Sequence, residues 1–347
     1  MLAVWTWHLL LCAALAPLVV LVHELGHALA GALVGFRFQL VQVGPVALLR
    51  GPEGLRLRWH QRVPGQVLGQ QSSAPEDDRA LPARLAVHGA GGPALNLLTA
   101  VLAWGAVAAA GQPSGPAGAA ALGILEGLGA LSVFGLVDLF PMRLRGQLSD
   151  GARIVHALRA ARSPAGIALL RASMRQARAL RPREWSLSAR ELAGLSETDA
   201  RARDELLLFA LGLANDQGDR ALARELVERG GAIRDPSTQV EFGLQAAMLE
   251  ALEGEPARAR QRLEVVGGHP SLPEYSSLAH AAVLAAEGRA EEASRALERW
   301  ERLVAALPPY VRVGNEWAEE AVRARLAPVA DPGSDQAQGR TGVSWPR

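Results

Sequence analysis

His23-Glu24-Leu25-Gly26-His27 lies inside an apolar stretch that runs from Leu2 to Phe36, and Glu24 is the only formal charge in it. Two imidazoles four residues apart project from one face of a helix, the spacing that lets both bind a single zinc ion. The glutamate between them sits beside such a metal, where it can take a proton from a zinc-bound water. A soluble metalloprotease carries this motif on an amphipathic helix. Here the flanks are apolar all round, so the helix reads as a membrane span. A charged side chain at the bilayer centre costs roughly 2.5–3.5 kcal/mol on insertion scales and needs a partner. A divalent cation between the two histidines is such a partner.

The rest of the chain sets the frame for that motif. Its 347 residues leave room for two or three domains. The sequence is 49% hydrophobic and only 20% charged, with the apolar residues concentrated in about the first 140 positions. A formal net charge of +1 gives no basis for a nucleic-acid partner. There is no lysine, so every basic residue other than histidine is arginine, a bias that lowers the weight of any single arginine. Cys12, the only cysteine, excludes an intramolecular disulfide and a thiolate cage for zinc. The N-terminus lacks the basic flank and small-residue cleavage site of a signal peptide, so it reads as a retained membrane helix.

Three spans emerge: about Leu2 to Val34, about Leu85 to Ala110, and about Ala117 to Phe140. The third carries Glu126 and Asp138, and Gln112-Pro113-Ser114-Gly115-Pro116 forms a very short turn before it. Glu126 reads as a helix residue facing that outer loop or a polar crevice. Arginines cluster at the opposite ends, at Arg37, Arg50, Arg56, Arg58, Arg62, Arg79 and Arg84, then Arg143, Arg145 and Arg153. The positive-inside rule therefore puts the N-terminus outside and the 37–84 loop and everything after 141 in the cytoplasm. This topology brings the ends carrying His27 and Asp150 to one side. Within the loop, Phe36 to Val43 and Leu55 to Trp59 alternate as strands do, with turns at Gly44-Pro45 and Gly51-Pro52-Glu53-Gly54. A small β-hairpin insert near the membrane surface is expected, either a structural cover or an edge for an extended substrate strand.

Two histidines do not complete a catalytic zinc site, which takes three protein ligands and an open position. Gly91-Gly92-Pro93-Ala94-Leu95-Asn96 brings small residues and an amide into the second span. Asp138-Leu139-Phe140-Pro141 ends the third, and Ser149-Asp150-Gly151 follows. With these in order, the first 160 or so residues resemble the site-2-protease family of intramembrane zinc metallopeptidases. The motifs that carry the resemblance are His23-Glu24-Leu25-Gly26-His27, Gly92-Pro93-Ala94-Leu95-Asn96, and the segment from Pro141 to Asp150-Gly151. The resemblance implies that His23, His27 and Asp150 hold Zn2+, and that Glu24 activates the water. It further implies that Asn96 places the substrate peptide or the oxyanion, and that a membrane-embedded peptide is cut near the cytoplasmic face. The chain departs from the family at Asp138, where asparagine is common. A carboxylate there can alter the charge balance of the metal, compete as a ligand, or sit at headgroup level.

From about Ala160 the chain is rich in Ala, Leu, Arg and Glu, and no uncharged run is long enough to span a bilayer. Gly218, Gly254 and Gly288 stand 36 and 34 residues apart, each followed five positions later by Ala223, Ala259 or Ala293. That period resembles the tetratricopeptide repeat, in which the glycine turns between two helices and the alanine packs between them, although its larger aromatics are mostly missing. An ordinary helical bundle is the plainer alternative. The expected fold is mostly α, a polytopic membrane helical core with a β-hairpin insert plus a cytoplasmic helical-repeat domain. The expected division is 1–160 for the metallopeptidase domain, 161–326 for the helical domain, and 327–347 for a disordered tail. The expected function is zinc-dependent cleavage of membrane-protein substrates in a bacterial cell membrane, with the helical domain open to a regulatory protein. The rival is an inactive membrane scaffold that works through its repeats.

Overall fold

The computed structural model describes residues 2–51, 54–59, 69–111, 115–144, 147–266, 273–305 and 312–327. The expected tail from 327 falls almost wholly outside them. The chain is mostly helical and divides into two compact units, Met1–Ala210 and Leu211–Arg347.

The first unit is built on three long helices, α1 (Leu2–Leu33), α2 (Leu81–Ala110) and α3 (Gly115–Phe134), the last extended by a 3-10 turn over Gly135–Leu139. Within them Leu10–Leu33, Leu81–Ala110 and Gly115–Leu139 are long and apolar enough to cross a membrane. Their outward faces carry Leu97, Leu98, Val101, Leu102, Ile124 and Phe134 in exposed positions. Glu126 is also exposed. Small residues let the helices close on one another: a methyl group on either Gly26 or Gly91 would overlap the carbonyl of the other. α1 and α2 therefore approach backbone to backbone at the level of the histidines.

Between α1 and α2 the chain folds into an antiparallel sheet of β1 (Phe36–Val43), β2 (Val46–Gly51), β3 (Gly54–Trp59) and β4 (Gly69–Pro75), in the order β3-β2-β1-β4. The alternating runs foreseen as strands are β1 and β3. The sheet is larger than a hairpin because β2 pairs with both, Leu48 facing Val41 and Leu57, and because β4 joins the other side of β1. β4 is the polar segment Gly69-Gln70-Gln71-Ser72-Ser73-Ala74-Pro75, which has no apolar alternation to announce it. Its register with β1 shifts between Phe38 and Leu40. There Gln39 accepts from Ser72 Oγ at 2.9 Å and donates to the carbonyl of Ala177 at 2.5 Å.

After α3 come α4 (Asp150–Ala160), α5 (Pro164–Ala177) and α6 (Ala189–Thr198). Residue 160 thus lies inside the first compact unit. α5 buries Leu169 and Leu170, and Leu170 packs in one cluster with Phe36, Leu81 and Ala160. Arg175 of α5 and Arg178, which caps its C-terminus, grip Asp78 from both sides at 2.7 and 2.5 Å, fixing the corner between β4 and α2. Burial works to raise the Asp78 carboxyl, and the hydrogen bonds from Arg178 and Arg175 outweigh it and hold the group below its ordinary value.

α7 (Arg203–Gln217) and α8 (Arg220–Arg229), α9 (Pro236–Leu252) and α10 (Pro256–Val266), and α11 (Pro273–Ala286) and α12 (Ala290–Val304) form successive helical hairpins, followed by α13 (Glu316–Leu326). The periodic glycines make the turns, with φ of 75°, 91° and 76° at Gly218, Gly254 and Gly288, a region that favours glycine. Ala223, Ala259 and Ala293 are fully buried, the last two where α10 packs on α9 and α12 on α11. Leu244, Met248, Leu278, Trp300, Trp317 and Val322 gather into the core of the second unit.

Candidate metal centre

Asp150 is aimed by its neighbour. Ser149 caps α4, its hydroxyl accepting from the Ala152 N–H at 3.2 Å and donating to the Phe140 carbonyl at 2.6 Å. The serine thereby ties the first turn of α4 to the segment leaving the third span. Gly151 lies flush on the Leu139 carbonyl, a position that leaves no room for a side chain. Asp150 consequently faces α1, from which His23 and His27 project one turn apart.

The three groups converge. His23 Nε2 stands 2.9 Å from Asp150 Oδ2, His27 Nε2 stands 3.1 Å from the same oxygen, and the two Nε2 atoms are 3.2 Å apart. All three residues are buried, and their donor atoms form a group that can hold a metal ion. Ligands about 2.0–2.1 Å from a tetrahedral zinc are separated by about 3.3 Å, so this triangle has nearly the dimensions of one tetrahedral face. Gly92 of α2 lies over the same atoms. A Cβ there would come within 2.5 Å of His27 Nε2 and 2.7 Å of His23 Nε2, so the missing side chain leaves the space in front of them open. Two neutral imidazoles and a carboxylate are a donor set suited to Zn2+, and the residues present fit that ion. Burial works to raise the Asp150 carboxyl, and the hydrogen bonds and charges of His23 and His27 outweigh it, holding the group ionised well below the usual carboxylate range.

A second layer holds the ligands. His27 Nδ1 lies 2.8 Å from the backbone carbonyl of His88 and 3.3 Å from the Gly92 N–H; with a metal on Nε2, the carbonyl would accept the proton carried by Nδ1. The His88 ring stacks on Phe36 and its Nε2 meets Gln71 Oε1 at 2.9 Å, joining α2 to β4. In the sequence His88 reads as a plain structural residue. Its side chain is no member of the ligand group, but its carbonyl supports one ligand. Asn96, 1% exposed, places Nδ2 3.0 Å from His23 Nδ1.

The remaining site residues border one cavity. Glu24 is buried, with Oε1 close to the backbone of Gly69, where an added Cβ would lie 2.5 Å away. Glu24, Gly69, Gln71, Asp138 and Arg153 line the cavity along with the three ligands, while Asn96 does not. Asp138 sits on the 3-10 turn with its side chain 48% exposed and Oδ2 3.9 Å from His23 Nε2, beside the ligand triangle rather than within it. Arg153, one turn after Asp150 on α4, adds a positive charge at the wall, and the sequence offered only its place in an arginine cluster.

The chain matches no protein-family model, no curated protein and no solved structure.

Proposed function

We propose that this chain is an intramembrane zinc metalloprotease, similar to the site-2 proteases, that hydrolyses peptide bonds of membrane-embedded substrates. The observation that carries the reading is the buried triangle of His23, His27 and Asp150 with Glu24 at its side, set on helices long and apolar enough to cross a membrane. The exposed Leu, Val and Phe side chains of those helices support a lipid environment, because water would not tolerate so much apolar surface. By the arginine distribution the site faces the cytoplasm of a bacterial cell, and the helical second unit lies on that side as a seat for substrates or a regulatory protein.

Held by His23, His27 and Asp150, a zinc ion would supply Lewis acidity toward the scissile carbonyl and the attacking water. Glu24 takes the proton from the attacking water on a carboxylate oxygen and returns it to the leaving amine as the C–N bond breaks. Asp150 contributes the negative charge of the ligand set, and the His88 carbonyl and Asn96 face the Nδ1 atoms of the two imidazoles. β4 borders the cavity through Gly69 and Gln71 and is an edge strand among the described residues. A substrate segment unwound from its helix therefore has a row of backbone groups to pair with as its carbonyl meets Glu24. Substrates with helix-breaking residues near the scissile bond are cut faster than those with stiffened helices.

The deciding measurement is zinc content and cleavage of a model membrane peptide by the purified full chain, beside Glu24→Gln. The variant is expected to keep the metal and to lose activity by about 10²–10⁴-fold, the contribution of a positioned base. Equal cleavage by both proteins would remove Glu24 from the mechanism. If neither protein holds zinc, the site assignment falls and the scaffold reading takes its place.

A further inference from the structure

Asn96 is almost wholly buried on α2, and its two amide atoms have unequal surroundings. Nδ2 lies 3.0 Å from His23 Nδ1, whereas Oδ1 is buried with no hydrogen-bond partner. An amide in this position has a second orientation available. With Nδ2 toward the ring, Nδ1 accepts from the amide and the ring proton lies on Nε2, 2.9 Å from Asp150 Oδ2. A metal on Nε2 reverses the roles, since that lone pair is then committed and the ring proton resides on Nδ1, which needs an acceptor. Turning the Asn96 amide by 180° brings Oδ1 to the place of Nδ2.

We propose that Asn96 is a positioning residue for His23, its Oδ1 accepting the Nδ1–H of that ligand when the site is loaded. The two histidines are then held alike, each giving its Nδ1–H to an acceptor on α2: the His88 carbonyl for His27 and the Asn96 amide for His23. An amide serves the empty and the loaded site in turn, as neither an aliphatic nor a purely accepting side chain does. Its surroundings support this role over contact with substrate. Asn96 does not line the cavity, and the backbone of Gly135 closes over it so tightly that a methyl group there would overlap Nδ2. A donor to an oxyanion must lie about 2.7–3.1 Å from it, which requires an open path to the cavity.

The inference rests on the zinc reading above, and the test separates the two. Affinity for Zn2+ alone is measured by chelator competition on the full chain in detergent, for wild type, Asn96→Asp and Asn96→Leu. The aspartate keeps an acceptor and is expected to bind zinc within about threefold of wild type or more tightly. The leucine keeps the volume and loses the acceptor, and is expected to bind about 10–100-fold more weakly. A packing role predicts the opposite ranking, because leucine fits an apolar helix contact and a carboxylate does not. A role as oxyanion donor predicts equal zinc affinity in all three, with cleavage falling in both variants; either result overturns the proposal. A wild type that takes up no zinc overturns the functional reading as well. If Asn96→Asp does not fold, nitrogen-15 spectra of zinc-loaded wild type decide: a slowly exchanging, hydrogen-bonded Nδ1–H on His23 is expected, and one exchanging freely with water overturns the assignment.

Discussion

Gly92 shows how much the candidate metal centre owes to a residue with no side chain. In a helix interior alanine is favoured over glycine by about 1 kcal/mol, so local propensity predicts that Gly92→Ala stabilises α2. The site predicts the reverse for function, because the new methyl group would stand 2.5 Å from His27 Nε2 and 2.7 Å from His23 Nε2. Helix content is expected to hold in Gly92→Ala while zinc affinity falls by about tenfold or more, as ligand-orienting changes typically do. Unchanged affinity by chelator competition would mean that the metal does not enter on this side. The histidine pair was readable because imidazoles at a four-residue spacing must share a helix face. Asp150 was readable only through resemblance, since nothing in the spacing of residues 27 and 150 encodes their meeting. The part played by His88 was not readable at all: it acts through a backbone carbonyl, which no side-chain pattern records.

Elements were legible in proportion to how strongly their own burial pattern fixes them. The three long helices follow from apolar runs of the length a bilayer needs. β1 and β3 follow from alternation, and the helical hairpins of the second unit follow from glycines that take positive φ at a regular interval. β4 is different, a strand made by its partner rather than by its sequence, and it borders the cavity. Its position depends on the corner after it, where Asp78 is gripped by Arg175 of α5 and by Arg178 at its C-terminal cap. These side chains are mostly shielded, and removing the carboxylate leaves two guanidinium groups facing each other. Asp78→Asn is therefore expected to destabilise the first unit by about 1–3 kcal/mol, read as a lower unfolding midpoint of the purified chain. The Asp78 carboxyl is held below its ordinary value, so its contribution is present above about pH 4 and is lost as pH falls through the depressed value. Wild type and Asp78→Asn should accordingly converge in acid, and a constant gap between them down to pH 2 would assign the clasp to something other than charge.

At the scale of the whole chain, the two compact units answer to different chemical variables. A ligand that binds only the folded first unit stabilises it by mass action, about 2.7 kcal/mol at a free concentration a hundred times its Kd. Chelation should therefore lower the unfolding transition of that unit and leave the second in place. The second unit carries its own pH dependence in Glu241 on α9, whose carboxyl burial pushes up to about 7, aided by the charge of Glu274 and opposed by a hydrogen bond from Tyr275. A group whose folded value lies above its unfolded one supports the fold while it is protonated in both states. That support is fully present below about pH 4.5 and is lost as pH rises to about 7. Glu241 is only partly shielded, so after allowance for solvent the loss is about 1–2 kcal/mol. Glu241→Gln keeps the shape and removes the charge, and should flatten the fall in the second transition between pH 5 and pH 8. It should also raise the midpoint at pH 8, with no change in zinc binding. A variant that follows the wild-type pH curve would take Glu241 out of the account, while a single transition responding to both chelator and pH would show that the units unfold as one.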